Sequence, residues 1–289
     1  AWLSFGGVSF QPYELAKPLL IVVCAFAAKK HNTPRGRRSG FFEVFRTPLI
    51  LLGILTAIII VQKDMGTAAI TLGIAVTCFL VPGWKGLQRA QNWIKISLAG
   101  LLVVGIVTVY ATGAASSIFR STGFFSHMAT RIDNMKNPYT DVYGEGYQPA
   151  NALYALADAG PLGKGIGNSA RKYGYLTQAN SDYIFAVVVE ETGLIVFGLI
   201  VVLYGILLWQ LFAYALKARS PADKVLFIGT ASYILLHFIA NVGGVITLIP
   251  MTGVPLLFIS GGGTSLMSIC AALGVCQSQM IKINREAES

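Results

Sequence analysis

About seven stretches of this chain are apolar over a length that can cross a lipid bilayer, allowing for some tilt. With 54% hydrophobic and only 12% charged residues among 289, the chain carries more apolar surface than a soluble domain of this size can bury. We therefore predict an all-α polytopic membrane protein that forms a single domain over residues 1–289. The predicted spans are Glu14–Ala28, Thr47–Gln62, Gly66–Val81, Ile94–Ala111, Asp182–Phe212, Val225–Asn241 and Thr264–Met280.

Basic residues in the loops predict how these spans are oriented. The loop Lys29–Arg46 holds six Lys and Arg residues against one acid, and such an excess is typical of cytoplasmic loops. Alternation then places Trp84–Lys95, Lys217–Lys224 and the tail Lys282–Ser289 in the cytoplasm, and each of the three contains at least two Lys or Arg residues. The segment Thr112–Ser181 is consequently predicted to be a large extracytoplasmic loop.

This outer segment contains six basic residues, which the orientation rule does not explain. One interpretation is an anionic ligand at the outer face, and the other is a solvated loop with incidental charges. Both remain open on composition alone. The glycines of GKGIG, residues 163–167, would let backbone N–H groups approach an anion, although such triplets are common.

Five blocks of sequence carry the more specific signal. They are WLSFGGVSFQPYELAK at 2–17, QKDMGT at 62–67, the spaced residues R, NP, D, G and GYQ at 131–148, a Gly-rich block at 162–193, and NVGGVITLIPMTGVPLLFISGGGTSL at 241–266. Together, and in this order, they resemble the signature of the SEDS family, the FtsW, RodA and SpoVE proteins of bacterial division, elongation and sporulation. GNSARKYGYL at 167–176 is more similar to the division and sporulation branch.

The resemblance implies a fold and a function. The family has ten membrane helices and the first block precedes the fourth, so the chain is expected to correspond to helices four to ten and to be N-terminally truncated. Its members are peptidoglycan glycosyltransferases that polymerise lipid II at the outer face of the bacterial cytoplasmic membrane, in cell division or cell-shape maintenance. The implied partners are a class B penicillin-binding transpeptidase and other divisome or elongasome membrane proteins, and no nucleic acid is expected.

Asp182 matches the aspartate of the family motif tDFIF, which implies that it is the catalytic carboxylate. It would act as general base toward the acceptor hydroxyl or as ligand of a divalent cation, Mg²⁺ or Mn²⁺, while the alternative structural role is a helix N-cap. The four cysteines lie in apolar runs without a CxxC pair, so they predict no metal site. Four cations would contact the pyrophosphate and the sugar-peptide: Arg131, Lys164, Arg171 and Lys172. Two further motif residues, Tyr147 and Gln148, are also candidate substrate contacts.

Charged residues inside the spans need a separate explanation, because each is costly in lipid unless it is paired or faces a cavity. Glu14 and Lys17 are three residues apart and can pair on one helix face, and Glu190 adjoins Glu191. They are either structural groups inside the bundle or the lining of a groove for the substrate head group. His237 is interpreted as a hydrogen-bonding group between helices.

The segment Gly243–Ser265 contains two prolines and six glycines. Such residues predict an unwound stretch at the membrane boundary, which is tolerated where it is buried in protein or lines a cavity. We expect it beside the active groove. Substitutions relative to the family pattern, including Tyr13, Lys63 and Gly261, indicate a divergent member.

Two other functions remain as alternatives to polymerisation. Polar groups and broken helices are also typical of transporters, which place their sites near the membrane midplane, so a lipid II flippase is one alternative. A non-catalytic scaffold that recruits a transpeptidase is the other. The crowding of charge toward the outer face favours a transferase.

Overall fold

The computed structural model describes residues 3–5, 8–31, 33, 41–62, 64–81, 84, 87–112, 114–121 and 126–288. These residues are mostly helical, apart from irregular turns and one hairpin of two three-residue strands, β1 (Leu3–Phe5) and β2 (Val8–Phe10), which pair antiparallel. The helices are α1 (Pro12–His31), α2 (Phe41–Val61), α3 (Met65–Leu80), α4 (Gln88–Ile106, continued as a π-helix over Val107–Thr112), α5 (Ala114–Ser121), α6 (Ser126–Lys136), a 3₁₀ turn (Pro138–Asp141), α7 (Tyr147–Ala159), α8 (Ile184–Lys217), α9 (Pro221–Val245) and α10 (Gly263–Glu288). The all-α prediction is confirmed, with the small hairpin as an addition.

Each predicted span coincides with a helix, and the fifth of these helices is interrupted. Five of these helices, α2, α4, α8, α9 and α10, are long and apolar enough to cross a membrane. α3 is a shorter apolar helix, and α1 carries Glu14 and Lys17 within its 20 residues, so spanning by these two helices stays a prediction. Large apolar side chains such as Leu101 on α4 and Leu199 on α8 are more than half exposed, as lipid-facing surfaces require.

The predicted outer loop contains much regular structure. Helices α5 to α7 and the 3₁₀ turn lie within residues 112–181, and an irregular segment, residues 160–183, leads from α7 to α8. Its side of the membrane stays a prediction, as does the cytoplasmic location of Lys29–Arg46. Residues 32 and 34–40 of that basic loop are outside the described residues.

The chain forms two compact units. The first comprises Ala1–Trp93, Tyr204–His237 and Gly262–Ser289, and the second comprises Ile94–Leu203 and Phe238–Gly261. In the first unit α1 packs against α2, α3 and α10. The QKDMGT block forms the start of α3 in this unit: the Asp64 carboxylate accepts a hydrogen bond from Thr67 N at 3.0 Å and caps the helix.

The fifth predicted span is not continuous. Gly193 has φ 82° and ψ 176° and interrupts α8 after a first piece of nine residues, 184–192. A break leaves carbonyls on one side and N–H groups on the other without helical partners. Residues 160–165 satisfy them through four backbone hydrogen bonds of 2.9–3.2 Å: Lys164 N to Glu190 O, Gly165 N to Glu191 O, Leu194 N to Gly160 O and Ile195 N to Pro161 O.

Residues 160–165 cross the broken helix at Gly193, and both segments need glycine where they meet. A Cβ on Gly193 would lie 2.4 Å from Gly163 N, and a Cβ on Gly163 would lie 2.3 Å from Glu191 O. Both glycines also have positive φ, which other residues adopt at a cost. The Gly-rich block thus fixes the irregular segment against the broken helix.

Candidate active site

A cavity of about 200 Å³ in the second unit brings together residues from three of the five sequence blocks, those at 131–148, 162–193 and 241–266. Three predicted site residues line it: Arg131, Gln148 and Asp182. The other lining residues are Asn134, Met135, Glu145, Pro149, Gln178, Tyr183, Gly244, Thr247, Ile249, Met251 and Gly253. We call this cavity the Asp182 pocket.

The block at 131–148 shapes one wall of the pocket. Asn137 caps the 3₁₀ turn by accepting from Tyr139 N at 3.1 Å. The Asp141 carboxylate then accepts from Gly144 N at 3.0 Å and Glu145 N at 3.1 Å, the side-chain-to-backbone bonding that makes Asp frequent in turns. The chain reverses in this way between α6, which carries Arg131, and α7, which carries Gln148.

Asp182 lies two residues ahead of α8, which begins at Ile184. The residue next to the helix is Tyr183, whose carbonyl accepts the first helical hydrogen bond, from Ala186 N at 3.0 Å. Asp182 is therefore one residue earlier than the position from which an N-cap side chain normally acts. Its carboxylate approaches Gly253, where a Cβ would lie 3.4 Å from Oδ2.

Arg131 supplies positive charge to the same pocket. Its Nη1 donates to Met251 O at 2.8 Å, which uses one of the five N–H donors of the guanidinium. Burial raises the pKa of the Tyr183 phenol, the Asp182 charge raises it further, and the Arg131 charge lowers it. The Asp182 carboxylate and the Arg131 guanidinium thus both influence the Tyr183 phenol, which is part of the pocket wall.

The GYQ motif divides between two roles. The Gln148 Oε1 atom is buried and has no hydrogen-bond partner among the described residues, so it is an acceptor available to a ligand of the pocket. Tyr147 is not among the residues that line this pocket. Its carbonyl accepts from Asn151 Nδ2 at 2.8 Å, which stabilises the first turn of α7.

Two predicted cations, Lys164 and Lys172, form ion pairs within the chain. Lys164 Nζ lies 2.8 Å from Glu190 Oε1, and Lys172 Nζ lies 2.6 Å from Glu191 Oε1. The Glu190 side chain is fully buried and also accepts from Ser169 Oγ at 2.6 Å. We call these five side chains the Gly193 network, because they surround the helix break.

Arg171 is held beside this network. It donates to Asn151 Oδ1 at 2.6 Å, lies 3.6 Å from Asp158 Oδ2, and stacks within 5.1 Å of the Tyr154 ring centroid and 5.7 Å of the Tyr175 ring centroid. Contacts of this kind suit a planar guanidinium. Arg171 therefore fastens the irregular segment to α7.

The GKGIG segment does receive an anion, as its glycines indicate, but the anion belongs to the chain. The backbone N–H groups of Gly167 and Ser169 bond the Glu191 carboxylate, while those of Lys164 and Gly165 bond helix carbonyls. The hydrogen bond to Glu190 raises the pKa of Lys164, and the hydrogen bond to Glu191 raises that of Lys172. Both ammonium groups therefore stay charged at neutral pH.

The family model of the FtsW, RodA and SpoVE cell cycle proteins matches residues 1–285. The chain belongs to this family. The resemblance found in the five sequence blocks is thereby confirmed, and so is the prediction of a multi-pass membrane protein.

Curated relatives of this SEDS chain carry names that state an activity. It is 33% identical to the probable peptidoglycan glycosyltransferase FtsW of Enterococcus hirae, over 99% of this chain and 70% of that protein. It is 31% identical to the probable peptidoglycan glycosyltransferase FtsW of Bacillus subtilis, over 95% of this chain and 65% of that protein. The stage V sporulation protein E of Bacillus subtilis is 33% identical, over 95% and 69%. The SEDS chain thus spans about two thirds of the length of these relatives.

Solved structures share the fold. A structure described as "Structural coordination of polymerization and crosslinking by a peptidoglycan synthase complex" matches with a TM-score of 0.65 and 25% identity, over 96% of this chain and 71% of that one. The rod shape determining protein RodA of Thermus thermophilus matches with a TM-score of 0.55 and 24% identity, over 96% and 67%. The second likeness concerns the fold alone.

Glu14 and Lys17, in the first unit of this SEDS chain, form the pair that their spacing predicts. Lys17 Nζ lies 2.6 Å from Glu14 Oε1 and 3.0 Å from His237 Nε2. Tyr233 OH donates to Glu14 Oε2 at 3.2 Å, and all four residues are fully buried. A contact of Glu14 or Lys17 with substrate stays a prediction.

The segment Gly243–Ser265 is expected beside the active groove, but the sequence does not show which of its residues line it. The described chain is non-helical from Ile246 to Gly262, and Thr247, Ile249, Met251 and Gly253 line the Asp182 pocket. The prolines and glycines predict that this segment is unwound. They do not predict which residues line the pocket, because an irregular backbone has no fixed periodicity.

Proposed function

We propose that this chain is the catalytic part of a peptidoglycan glycosyltransferase that polymerises lipid II in the Asp182 pocket. The observation that supports it best is the placement of Asp182 and Arg131 on one cavity. Transfer of a sugar from a polyprenyl pyrophosphate needs a base for the acceptor and a positive charge for the departing anion. The names of the relatives agree with this chemistry.

The reaction assigns one task to each group. The acceptor hydroxyl attacks the anomeric carbon of the donor sugar, and Asp182 takes the hydroxyl proton as the new C–O bond forms. The bond between the anomeric carbon and the pyrophosphate oxygen breaks, and the pyrophosphate leaves with the electron pair. Arg131 stabilises that anion, for which a guanidinium is well suited, and Gln148 Oε1 accepts from a sugar hydroxyl.

The size of the pocket limits what it encloses. Its volume of about 200 Å³ is below the roughly 300–1,000 Å³ usual for a site that surrounds a small ligand. It therefore holds the reacting centre, while the polyprenyl chain and the peptide extend outside it. This arrangement suits a polymerase, because the growing glycan can extend out of the pocket while its reacting end stays inside.

A divalent cation fits this donor set in one way. Mg²⁺ is commonly held by one or two carboxylates together with substrate phosphates, and Asp182 and Glu145 are the carboxylates of the pocket. Among the described residues there is no group of three His, Cys, Asp or Glu that would hold a metal unaided. In the alternative role of Asp182 as a metal ligand, Asp182 and Glu145 would hold the ion, which would supply positive charge for the departing pyrophosphate.

The working assembly is proposed to sit in the bacterial cytoplasmic membrane with the Asp182 pocket at the outer face. A class B penicillin-binding transpeptidase is the proposed partner, since a matching structure is described as a complex for polymerisation and crosslinking. Similarity to FtsW and SpoVE proteins supports a role in division or sporulation.

The deciding experiment compares polymerisation with lipid flipping. The full-length protein, purified with its transpeptidase partner, is given labelled lipid II, and glycan strands are resolved by gel electrophoresis. The same preparation in vesicles is tested for movement of labelled lipid II between leaflets. Strands without flipping support the proposal, whereas flipping without strands would assign the protein to the flippases, and neither activity would leave the scaffold role.

A further inference from the structure

The backbone that carries Asp182 is held by an unusual set of hydrogen bonds. Residues 180–182 lie outside any helix or strand, so their carbonyls cannot find partners in a regular ladder and need other donors. Three consecutive carbonyls accept from the segment 241–261: Asn180 O from Gly261 N at 2.8 Å, Ser181 O from Ser260 Oγ at 2.8 Å, and Asp182 O from Asn241 Nδ2 at 2.9 Å.

Asn241 provides the bond closest to the carboxylate. Its side chain is fully buried, and Nδ2 donates both to Asp182 O and to Val254 O, each at 2.9 Å. Its Oδ1 is buried without a hydrogen-bond partner in the described part of the chain. The orientation of the amide is therefore fixed by its two donated bonds, which an aspartate or a leucine of similar size could not make.

Ser260 provides the second bond and also organises its own segment. Its hydroxyl accepts from Leu256 N at 2.7 Å and donates to Ser181 O at 2.8 Å. One hydroxyl thus joins the turn at 256–260 to the residue before Asp182. Alanine at this position would leave Leu256 N and Ser181 O without this shared partner.

We propose that Asn241 and Ser260 are positioning residues that hold Asp182 in register with the pocket, the former through the Asp182 carbonyl and the latter through the Ser181 carbonyl. The inference rests on the proposed function and deepens it, because the unwound segment then supplies the frame for the base as well as a wall of the cavity. A displacement of about 1 Å at a reacting group can reduce turnover about 100-fold.

The kinetic test uses the full-length protein with its transpeptidase partner. Asn241→Ala and Ser260→Ala should each lower kcat for lipid II polymerisation by about ten- to hundredfold, with the half-saturating lipid II concentration changed by less than about threefold, because ground-state contacts are retained. Ser260→Thr keeps the hydroxyl and should restore most of kcat. Thr252→Val is the matched control, since Thr252 Oγ1 donates to Ala240 O at 3.3 Å and not to a carbonyl of residues 180–182.

We call the hydrogen bonds from Asn241 to Asp182 O and from Ser260 to Ser181 O the clamp. Hydrogen–deuterium exchange tests the clamp without relying on turnover. Peptides covering residues 178–190 should exchange faster in Asn241→Ala and Ser260→Ala than in the parent or in Thr252→Val. Faster exchange with unchanged kcat would overturn the positioning role, and parent-like exchange in both variants would overturn the clamp itself. If Asn241→Ala does not fold, Ser260→Ala decides. A parent that makes no glycan strands, with exchange behaving as expected, would refute the proposed function and leave the clamp standing.

Discussion

Asp182 and Glu190 are acidic residues only eight positions apart, yet the chain treats them differently. Glu190 is fully buried and is bonded by Lys164 and Ser169, so its charge is neutralised inside the Gly193 network. Asp182 lines a cavity that it shares with Arg131, and the bond that Arg131 makes to Met251 goes to a carbonyl. The Glu190 charge therefore supports structure inside the fold, while the Asp182 side chain lies where a ligand of the cavity can reach it.

The largest effect is expected from replacing Asp182, the carboxylate that faces the cavity. Asp182→Asn keeps the shape and the backbone bonds but removes the base, so lipid II polymerisation should fall about 100-fold or more. Thermal stability should change little. Asp158→Asn is the control, because Asp158 pairs with Lys164 and Arg171 outside the pocket. Near-parent polymerisation by a well-folded Asp182→Asn protein would exclude the catalytic role.

The next effect is on folding and concerns the crossing at the helix break. Gly193→Ala would place a Cβ 2.4 Å from Gly163 N in a positive-φ conformation, at a cost of roughly 3 kcal/mol or more. The yield of folded protein and its melting temperature should drop together. Gly198→Ala lies on the same helix with nothing within 4 Å of the added Cβ and should be tolerated. Equal behaviour of the two variants would refute the tight crossing.

A smaller effect is expected at two arginines, Arg131 and Arg171, which the sequence predicts to be substrate contacts. Arg131→Gln should raise the half-saturating lipid II concentration about tenfold, as expected when a charge-assisted contact is lost. Arg171→Gln should leave that concentration within about threefold and lower the melting temperature, because Arg171 is bonded to Asn151 and Asp158. A large kinetic effect of Arg171→Gln would show that substrate reaches it, as its position in the motif predicts.

The smallest effect is a pH dependence of the Gly193 network. The bond to Glu190 raises the pKa of Lys164 above its ordinary value of 10.5, so the stabilisation is fully present below pH 10.5 and is lost as the pH rises through the folded-state pKa. The difference in melting temperature between the parent and Lys164→Gln should be constant around neutral pH and shrink only in strong alkali. A difference that disappears near pH 7 would contradict the pairing.

Much of this fold could be predicted because hydropathy is a local property. Each of the seven apolar runs coincides with a described helix, one of them broken at Gly193, and the motif blocks selected Asp182, Arg131 and Gln148, which line one pocket. The break at Gly193 was missed, since a single glycine in an apolar run carries little signal. The internal pairing of Lys164 and Lys172 was missed for the same reason, because it depends on residues 160–165 crossing the chain at that break. Sequence position shows that a charge is present, but only the tertiary contact identifies its partner.

The buried group around Lys17 bears on how such a protein enters the membrane during synthesis. Glu14 lies on the same helical turn as Lys17, so the counterion is available as soon as α1 folds. His237 is 220 residues further along the chain and is made much later. A lone ammonium would be expensive in lipid during that interval, whereas the pair enters as a neutral unit. If α1 spans the membrane as predicted, its ion pair is complete before α9 is made, and His237 joins the pair afterwards.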